Sequence, residues 1–389
     1  MKVSFINESY QRFFRKHRKE IMRAFEKCAK KGDFMLRDET RRFERKLADY
    51  IGTKYAVGVN SCTDAMFLSL VALGIKKGDE VICPSHTFIA TIQSIIHTGA
   101  TPVLVDVGED ELMDMQKVRK AITPKTKAII PVHFHGKICD MSALFYIMQA
   151  NNLFVVEDVA QALGANRGGK MAGSFGVTGC FSFNFPKLMG AYGDAGAITT
   201  DNEELFKKLL LLRNHWNITQ GSVDAKEYPQ PEEMEWGWKS RIDNIQAAIL
   251  NVKFKYLDKL LARRKKIAEK YNKAFANLPN LEIPNLPEGC VVQEYILKTS
   301  FQKEFVEHMK KCGVELLIRD TIPNHKLKGL GLDQFNLPVT ERIAQNAVRL
   351  PIYPELTSKE QSYIIKCVRK YYGSNKSKKK RIIEKSASK

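Results

Sequence analysis

The chain has 389 residues, 44% of them hydrophobic, and carries 62 Lys and Arg against 43 Asp and Glu, a formal net charge of +19. That length and apolar content suffice for a large core and about two domains. The lack of any run of 18 or more apolar residues argues against a spanning helix. The polar amino terminus argues against a secretory leader. Eight cysteines without a C-x-x-C pair argue against structural zinc and for free thiols in a reducing, cytoplasmic setting, and no metal is expected. The positive charge is concentrated at the two ends: the first 31 residues hold ten Lys/Arg against three Glu, and residues 374–389 hold seven against one. Such a balance suits anionic partners. With no zinc finger, RRM-like aromatic signature or helix-turn-helix in between, nucleic acid is not expected and the tail 374–389 reads as solvated and disordered.

Residues 10–31 read as a basic amphipathic helix and Thr40–Tyr50 as a second, ended by Gly52. From Tyr55 the pattern alternates. Strands are expected at Tyr55–Val59, Glu80–Cys83, Pro102–Val107, Ala128–Phe134 and Leu153–Val156. Helices fall between them at Ala65–Leu73, Phe88–His97, Lys117–Ile122 and Met141–Asn151. This alternation predicts an α/β architecture with a mainly parallel sheet and ligands at the carboxyl ends of its strands. A helix from Asn244 to Leu260, then basic residues to about Asn272, leads into short strands and helices over 283–372. The expected division is a large α/β unit with the amino-terminal helices over 1–250, a smaller α+β unit over 251–373 and the tail.

Two stretches point to chemistry. Asn60-Ser61-Cys62-Thr63-Asp64 links a strand to a helix, with Ser61 and Asp64 spaced as in a capping box. Free N–H groups at the positive end of such a helix suit a phosphate. The aromatic run Cys180 to Pro186 ends at Lys187 and is followed by the glycine-rich Gly190–Ala197. A lysine amine adds to a carbonyl only when deprotonated, and a desolvated pocket moves it towards that state. Twenty-nine residues upstream, the apolar strand Val155-Val156-Glu157-Asp158 ends in a carboxylate, costly to bury without a cationic partner.

Lys187, Asp158 and the Ser61–Thr63 turn together resemble the pyridoxal-phosphate-dependent sugar aminotransferases of the DegT/DnrJ/StrS family, from about Phe34 to Tyr372. The resemblance implies the aspartate-aminotransferase-like fold (fold type I), with a seven-stranded type of large-domain sheet. It implies pyridoxal 5′-phosphate as cofactor, a homodimer, and transfer of an amino group, usually from glutamate, to a nucleotide-linked 3- or 4-keto sugar. By the same resemblance Lys187 carries the cofactor and moves the proton. Asp158 pairs with the ring nitrogen, Gln161 with the phenolic oxygen, and Phe88 stacks on the ring. Ser61, Cys62, Thr63 and Ser182 hold the phosphate. Glycine often stands where this chain has Cys62, so that contact is expected through backbone. An asparagine that reaches the partner subunit's phosphate is replaced here by Lys239, expected to take the same role. Trp238, Arg319 and His325 are candidates for substrate binding, although Arg319 to Thr321 depart from the Tyr-Pro-x-Pro-Leu-His pattern of relatives. His133 and His135 read as satisfied structural histidines. Three alternatives stand beside this reading: a dehydratase, opposed by Lys187 because those enzymes carry histidine there; a cyclitol-ketone aminotransferase; and a cofactor-binding regulator without turnover.

Overall fold

The computed structural model describes residues 1–218, 222 and 224–386, with side chains described up to 373. The chain begins with helices α1 (Asn7–Lys31) and α2 (Asp38–Ile51). There follow β1 (Tyr55–Val59), α3 (Cys62–Ala72), β2 (Glu80–Pro84), α4 (Ile89–His97), β3 (Thr101–Val105), α5 (Met115–Ala121), β4 (Thr126–Ile129), α6 (Met141–Asn151) and β5 (Phe154–Asp158). A small hairpin, β6 (Asn166–Arg167) with β7 (Lys170–Met171), precedes β8 (Thr178–Ser182), β9 (Gly196–Thr200) and α7 (Glu203–Leu212). Helices α8 (Asn244–Phe254) and α9 (Leu257–Phe275) lead to β10 (Tyr295–Lys298), α10 (Gln302–Lys311), α11 (Pro338–Asn346), β11 (Ala347–Leu350) and α12 (Ser358–Ser386). Among the described residues no helix is long and apolar enough to cross a membrane.

Seven strands form one sheet in the order β1-β9-β8-β5-β4-β2-β3. Only β9 runs against the rest, pairing antiparallel with both β1 and β8. Strands covered on both faces have to be apolar throughout, and β2, β5 and β8 are buried over nearly their whole length. Their carboxyl ends, with that of β1, open on one side of the sheet, and the register that sets Asp158 opposite Cys180 places the carboxylate beside the strand leading to Lys187.

The β1 end of the sheet is clamped from α2. Arg213, fully buried, ion-pairs with Glu44 at 2.6 Å and Asp224 at 2.6 Å and donates to the Gly58 carbonyl at 2.9 Å, while Glu44 accepts the Gly58 N–H at 2.8 Å. Burial disfavours the guanidinium, and the two carboxylates more than offset that.

A second core gathers around the β10-β11 ribbon, with Tyr271, Phe275, Tyr295, Phe305 and Tyr353 almost wholly buried between α9, α10 and α12. Val3 belongs to this core, bridging to Val314, and Arg12 pairs with Glu360 at 2.6 Å. The first dozen residues thus tie the amino terminus to the carboxyl-terminal part of the chain, whereas α1 further along packs on α8.

Two expectations change. The strand expected over Ala128–Phe134 is regular only over Thr126–Ile129; beyond it Ile130 still donates to the Ile82 carbonyl and Val132 bridges to Asp158 around Pro131, which has no N–H to give, before Phe134–Gly136 turns as a 3-10 element with His135 at φ 57°. The helix expected over Asn244–Leu260 breaks at Lys255-Tyr256 into α8 and α9. Helix α12 takes in the first part of the basic tail, to Ser386. Residues 387–389 lie outside the described residues.

Candidate active site

A cavity of about 300 Å³ opens where these strands end. On one side Ser61 caps α3, its Oγ accepting the Asp64 N–H at 3.1 Å, so the remaining N–H groups of the first turn are free for an anion. Close approach makes this cradle: a Cβ on Gly196 would fall 2.3 Å from the Ser61 carbonyl carbon and 2.8 Å from the Cys62 nitrogen. The Cys62 thiol points to the Cys180 carbonyl at 3.4 Å, and burial keeps its pKa well above the usual thiol range. Cys62 therefore offers backbone rather than thiolate. Thr63 and Ser182 line the same space.

Asp158, at the end of β5, is 5% exposed. Its Oδ1 accepts the Ala160 N–H at 3.0 Å and its Oδ2 accepts the Thr91 hydroxyl at 2.8 Å, with Thr87 and Thr91 hydroxyls 2.7 Å apart. No cation lies within ion-pairing distance of it among the described residues, so a carboxylate is held in place facing a cavity that can supply one. Thr91 is a residue the sequence reading missed. Its signal was present, because Thr87 and Thr91 stand four apart across the start of α4. Gln161 accepts the His135 N–H on its Oε1 at 2.8 Å, which leaves its NH₂ as the donor for an acceptor in the cavity. Phe88 caps α4 and is 56% exposed, an aromatic face at the cavity wall rather than core.

Lys187 follows β8 in a loop closed by Lys187 N to Asn184 O at 3.0 Å and Ala191 N to Phe183 O at 2.7 Å. Among the described residues no carboxylate lies within 4 Å of its Nζ. It faces the cavity, and burial lowers its pKa, outweighing the opposing pull of Glu294 and Asp158. This is the state an amine nucleophile or base requires. Beneath the loop, Lys253 donates to the Gly190 carbonyl and lies 4.6 Å from the Tyr192 ring centroid; desolvation brings its pKa down to about 8.

The opposite wall comes from the carboxyl-terminal part. Arg319 lines the cavity and pairs with Glu294 at 3.0 Å and Asp320 at 2.9 Å. Arg349 holds the same two carboxylates at 2.8 and 3.4 Å. This ring of two arginines and two carboxylates was not visible in the sequence, because its members are spread over 294–349.

Two expected substrate contacts, His325 and Trp238, lie away from this chain's cavity, as does Lys239, the residue expected to serve the partner's phosphate. His325 is fully buried, its Nδ1 2.8 Å from the Ser85 hydroxyl and its Nε2 3.1 Å from Glu341, so it braces the loop carrying Phe88 instead of reaching the cavity. Its neighbour Asn324 donates to the Ser85 and Thr87 carbonyls. Trp238 packs edge-on against Phe67, ring centroids 5.0 Å apart. Lys239 is exposed and bridges to Asn214, outside its own chain's cavity. His133 is satisfied as expected, with Nε2 on Glu157 at 2.8 Å and Nδ1 accepting the Cys139 N–H at 3.2 Å, but neither ring nitrogen of His135 makes a hydrogen bond.

Comparison with known proteins bears on the same site. The profile of the DegT/DnrJ/EryC1/StrS aminotransferase family matches residues 15–369. The dTDP-3-amino-3,6-dideoxy-alpha-D-galactopyranose transaminase of Aneurinibacillus thermoaerophilus is 38% identical over 360 residues, covering 92% of this chain and 96% of its own. Among solved structures, DesV of S. venezuelae in complex with a ketimine intermediate superposes with a TM-score of 0.86 at 34% identity, covering 93% of this chain and 96% of its own. NtdA from Bacillus subtilis with bound cofactor PMP gives 0.84 at 30% identity, covering 94% and 84%.

Proposed function

The chain belongs to the DegT/DnrJ/EryC1/StrS aminotransferase family, and from that premise we propose that it transfers an amino group from glutamate to a nucleotide-linked 3- or 4-keto sugar. It is an aminotransferase, and its cofactor is pyridoxal 5′-phosphate. The residues present fit that group. The Gly196-dependent turn and the Thr63 and Ser182 hydroxyls suit its phosphate, and the fixed, buried carboxylate of Asp158 suits a protonated pyridine nitrogen. The Gln161 NH₂ suits the phenolic oxygen, and the exposed Phe88 suits the ring face. The observation that carries the reading is Lys187, an amine pushed towards neutrality by burial in the same cavity as Asp158 and the Ser61 turn.

When bound, the cofactor supplies the carbonyl that takes up the amino group and a ring that accepts the electrons left as a proton departs. This chain's residues supply the rest. Asp158 holds the ring-nitrogen proton in place and raises the ring's electron demand. Lys187 Nζ carries the substrate's proton from the donor's α-carbon and, in the second half of the cycle, to the carbon that bore the sugar's ketone. Arg319 lies in the wall where an anionic group of donor or sugar would meet a cation, already oriented by Glu294 and Asp320.

The assembly is read as a homodimer in which Lys239 meets the phosphate at the partner's site. Support comes from the exposure of its segment, with Trp236 at 92% and Met234 at 62%. Purified protein given glutamate and a panel of nucleotide-linked 3- and 4-keto sugars is expected to form 2-oxoglutarate in step with amino sugar. Turnover of a cyclitol ketone but of no nucleotide sugar would contradict the substrate class, and no 2-oxoglutarate with any acceptor would favour a regulator without turnover.

A further inference from the structure

His135 combines three features that the amino-transfer chemistry does not call for. Its backbone is left-handed, φ 57° and ψ 16°, a conformation that costs a non-glycine residue about 1 kcal/mol. It is followed by Gly136 at φ 91°, where a Cβ would fall 2.2 Å from the Val291 carbonyl oxygen. The residue is 7% exposed, yet neither ring nitrogen is hydrogen-bonded. Such features persist where the surroundings over-determine them, and they gather at functional sites.

The surroundings here are charged. Nδ1 lies 3.4 Å from a Glu294 oxygen and Nε2 3.9 Å from a Glu111 oxygen. Glu294 is steadied by Arg349 and Arg319, and Glu111 by Lys137 and Lys298, each ammonium at 3.2 Å. The Phe134 ring, 3.9 Å away, and the His86 ring, 6.1 Å away, close the remaining sides. Two carboxylates thus seat the imidazole, one from the loop after β3 and one from the residue before β10. The N–H that the left-handed turn presents goes to Gln161 Oε1 at 2.8 Å. Donor atoms of His86, Glu111 and His135 also come within 4.8 Å of one another, a spacing compatible with a metal ion. Glu111 is already shared by two ammonium groups, so a divalent cation would add charge to a cation-rich spot.

We propose that His135 is a positioning residue: its side chain, wedged between Glu111 and Glu294, holds the left-handed turn whose N–H orients the Gln161 carboxamide towards the cofactor's phenolic oxygen. The proposal rests on the reading of Gln161 given above. It makes the carboxyl-terminal wall, through Glu294, part of the machinery that tunes the cofactor.

The test is a pH titration of the visible band of the holoenzyme in wild type, His135→Ala, Glu111→Gln and Gln161→Ala, at matched cofactor content. A donor on the phenolic oxygen draws electron density from the chromophore, so its loss raises the pH at which the chromophore gives up its proton. His135→Ala is expected to raise the midpoint by about half to one pH unit, the worth of one weakened hydrogen bond. Glu111→Gln, which loosens one side of the seat, raises it less and serves where the alanine variant does not fold. A role in folding alone would lower thermal stability and leave the midpoint in place. If Gln161→Ala moves the midpoint and neither seat variant does, the His135 proposal is overturned while the Gln161 reading stands. If Gln161→Ala leaves it unmoved, the Gln161 reading itself fails.

Discussion

The two walls of the cavity are built on different principles. On the sheet side, each group sits at a strand end or the helix turn after it: Ser61 to Thr63 after β1, Asp158 at the end of β5, Ser182 at the end of β8 with Lys187 just beyond. Backbone ladders fix these positions, and one or two local hydrogen bonds finish each side chain. On the carboxyl-terminal side the backbone contributes an antiparallel bridge, Leu317 with Arg349, two residues short of the cavity-lining Arg319. Arg319 is held there by Glu294, Asp320 and Arg349, an ion network with Glu294 buried and its carboxyl driven well below the usual range because Arg349, His135 and Arg319 outweigh the cost of burial. The sheet wall is set mainly by backbone topology, whereas the other wall is set in large part by a few buried charges.

The sharpest break in this contrast is Lys187→Ala on the sheet wall. It removes the proton carrier, and turnover is expected to fall by at least about 10²–10⁴-fold while the fold persists, read by circular dichroism alongside activity. On the other wall, Arg349→Ala leaves Glu294 buried with less than its share of charge. The expected loss is about 3–5 kcal/mol of stability in denaturant titration, with activity falling only as far as Arg319 is displaced. Asp158→Asn keeps shape and removes charge; cofactor affinity is expected to fall about 10–100-fold, the scale of one charge-assisted hydrogen bond.

A smaller effect probes the back of the Lys187 loop. Lys253, 7% exposed, has its pKa lowered from 10.5 to about 8 by desolvation. Between those values the unfolded chain binds the proton that the folded one has released, so the folded state gains stability as pH rises from 8 to 10.5. Relative to Lys253→Met, wild type should therefore gain up to about 3 kcal/mol across that window, measured by urea unfolding at a series of pH values. A flat difference would show that the ammonium is not desolvated as its surroundings imply.

The same contrast explains how far the sequence could be read. Strand and helix alternation, the capping spacing of Ser61 and Asp64 and the Asp158-to-Lys187 interval are local signals, and the structure brings their residues into one cavity. Thr91 was readable from its spacing to Thr87 but carried no charge to draw attention. Glu294, Arg349 and His135 were not readable, since their roles arise only when segments distant in the chain meet: Glu294 and Arg349 are 55 residues apart, and His135 lies further still from Glu294. His325 misled for a related reason: its place in a pattern said nothing of the Ser85 hydroxyl and Glu341 carboxylate that occupy both its nitrogens. The break between α8 and α9 at Lys255-Tyr256 likewise had no proline or glycine in the sequence to announce it.

The central claim is that the cavity bearing Lys187 accepts an amino group from an amino acid. The most direct measurement is the visible absorption spectrum of the purified holoenzyme before and after glutamate, with Lys187→Ala beside it. The account predicts that glutamate alone shifts the cofactor band to that of its aminated form in wild type, releasing one 2-oxoglutarate per site, and that Lys187→Ala does so far more slowly. A wild-type band that neither glutamate nor any other amino acid alters would contradict it.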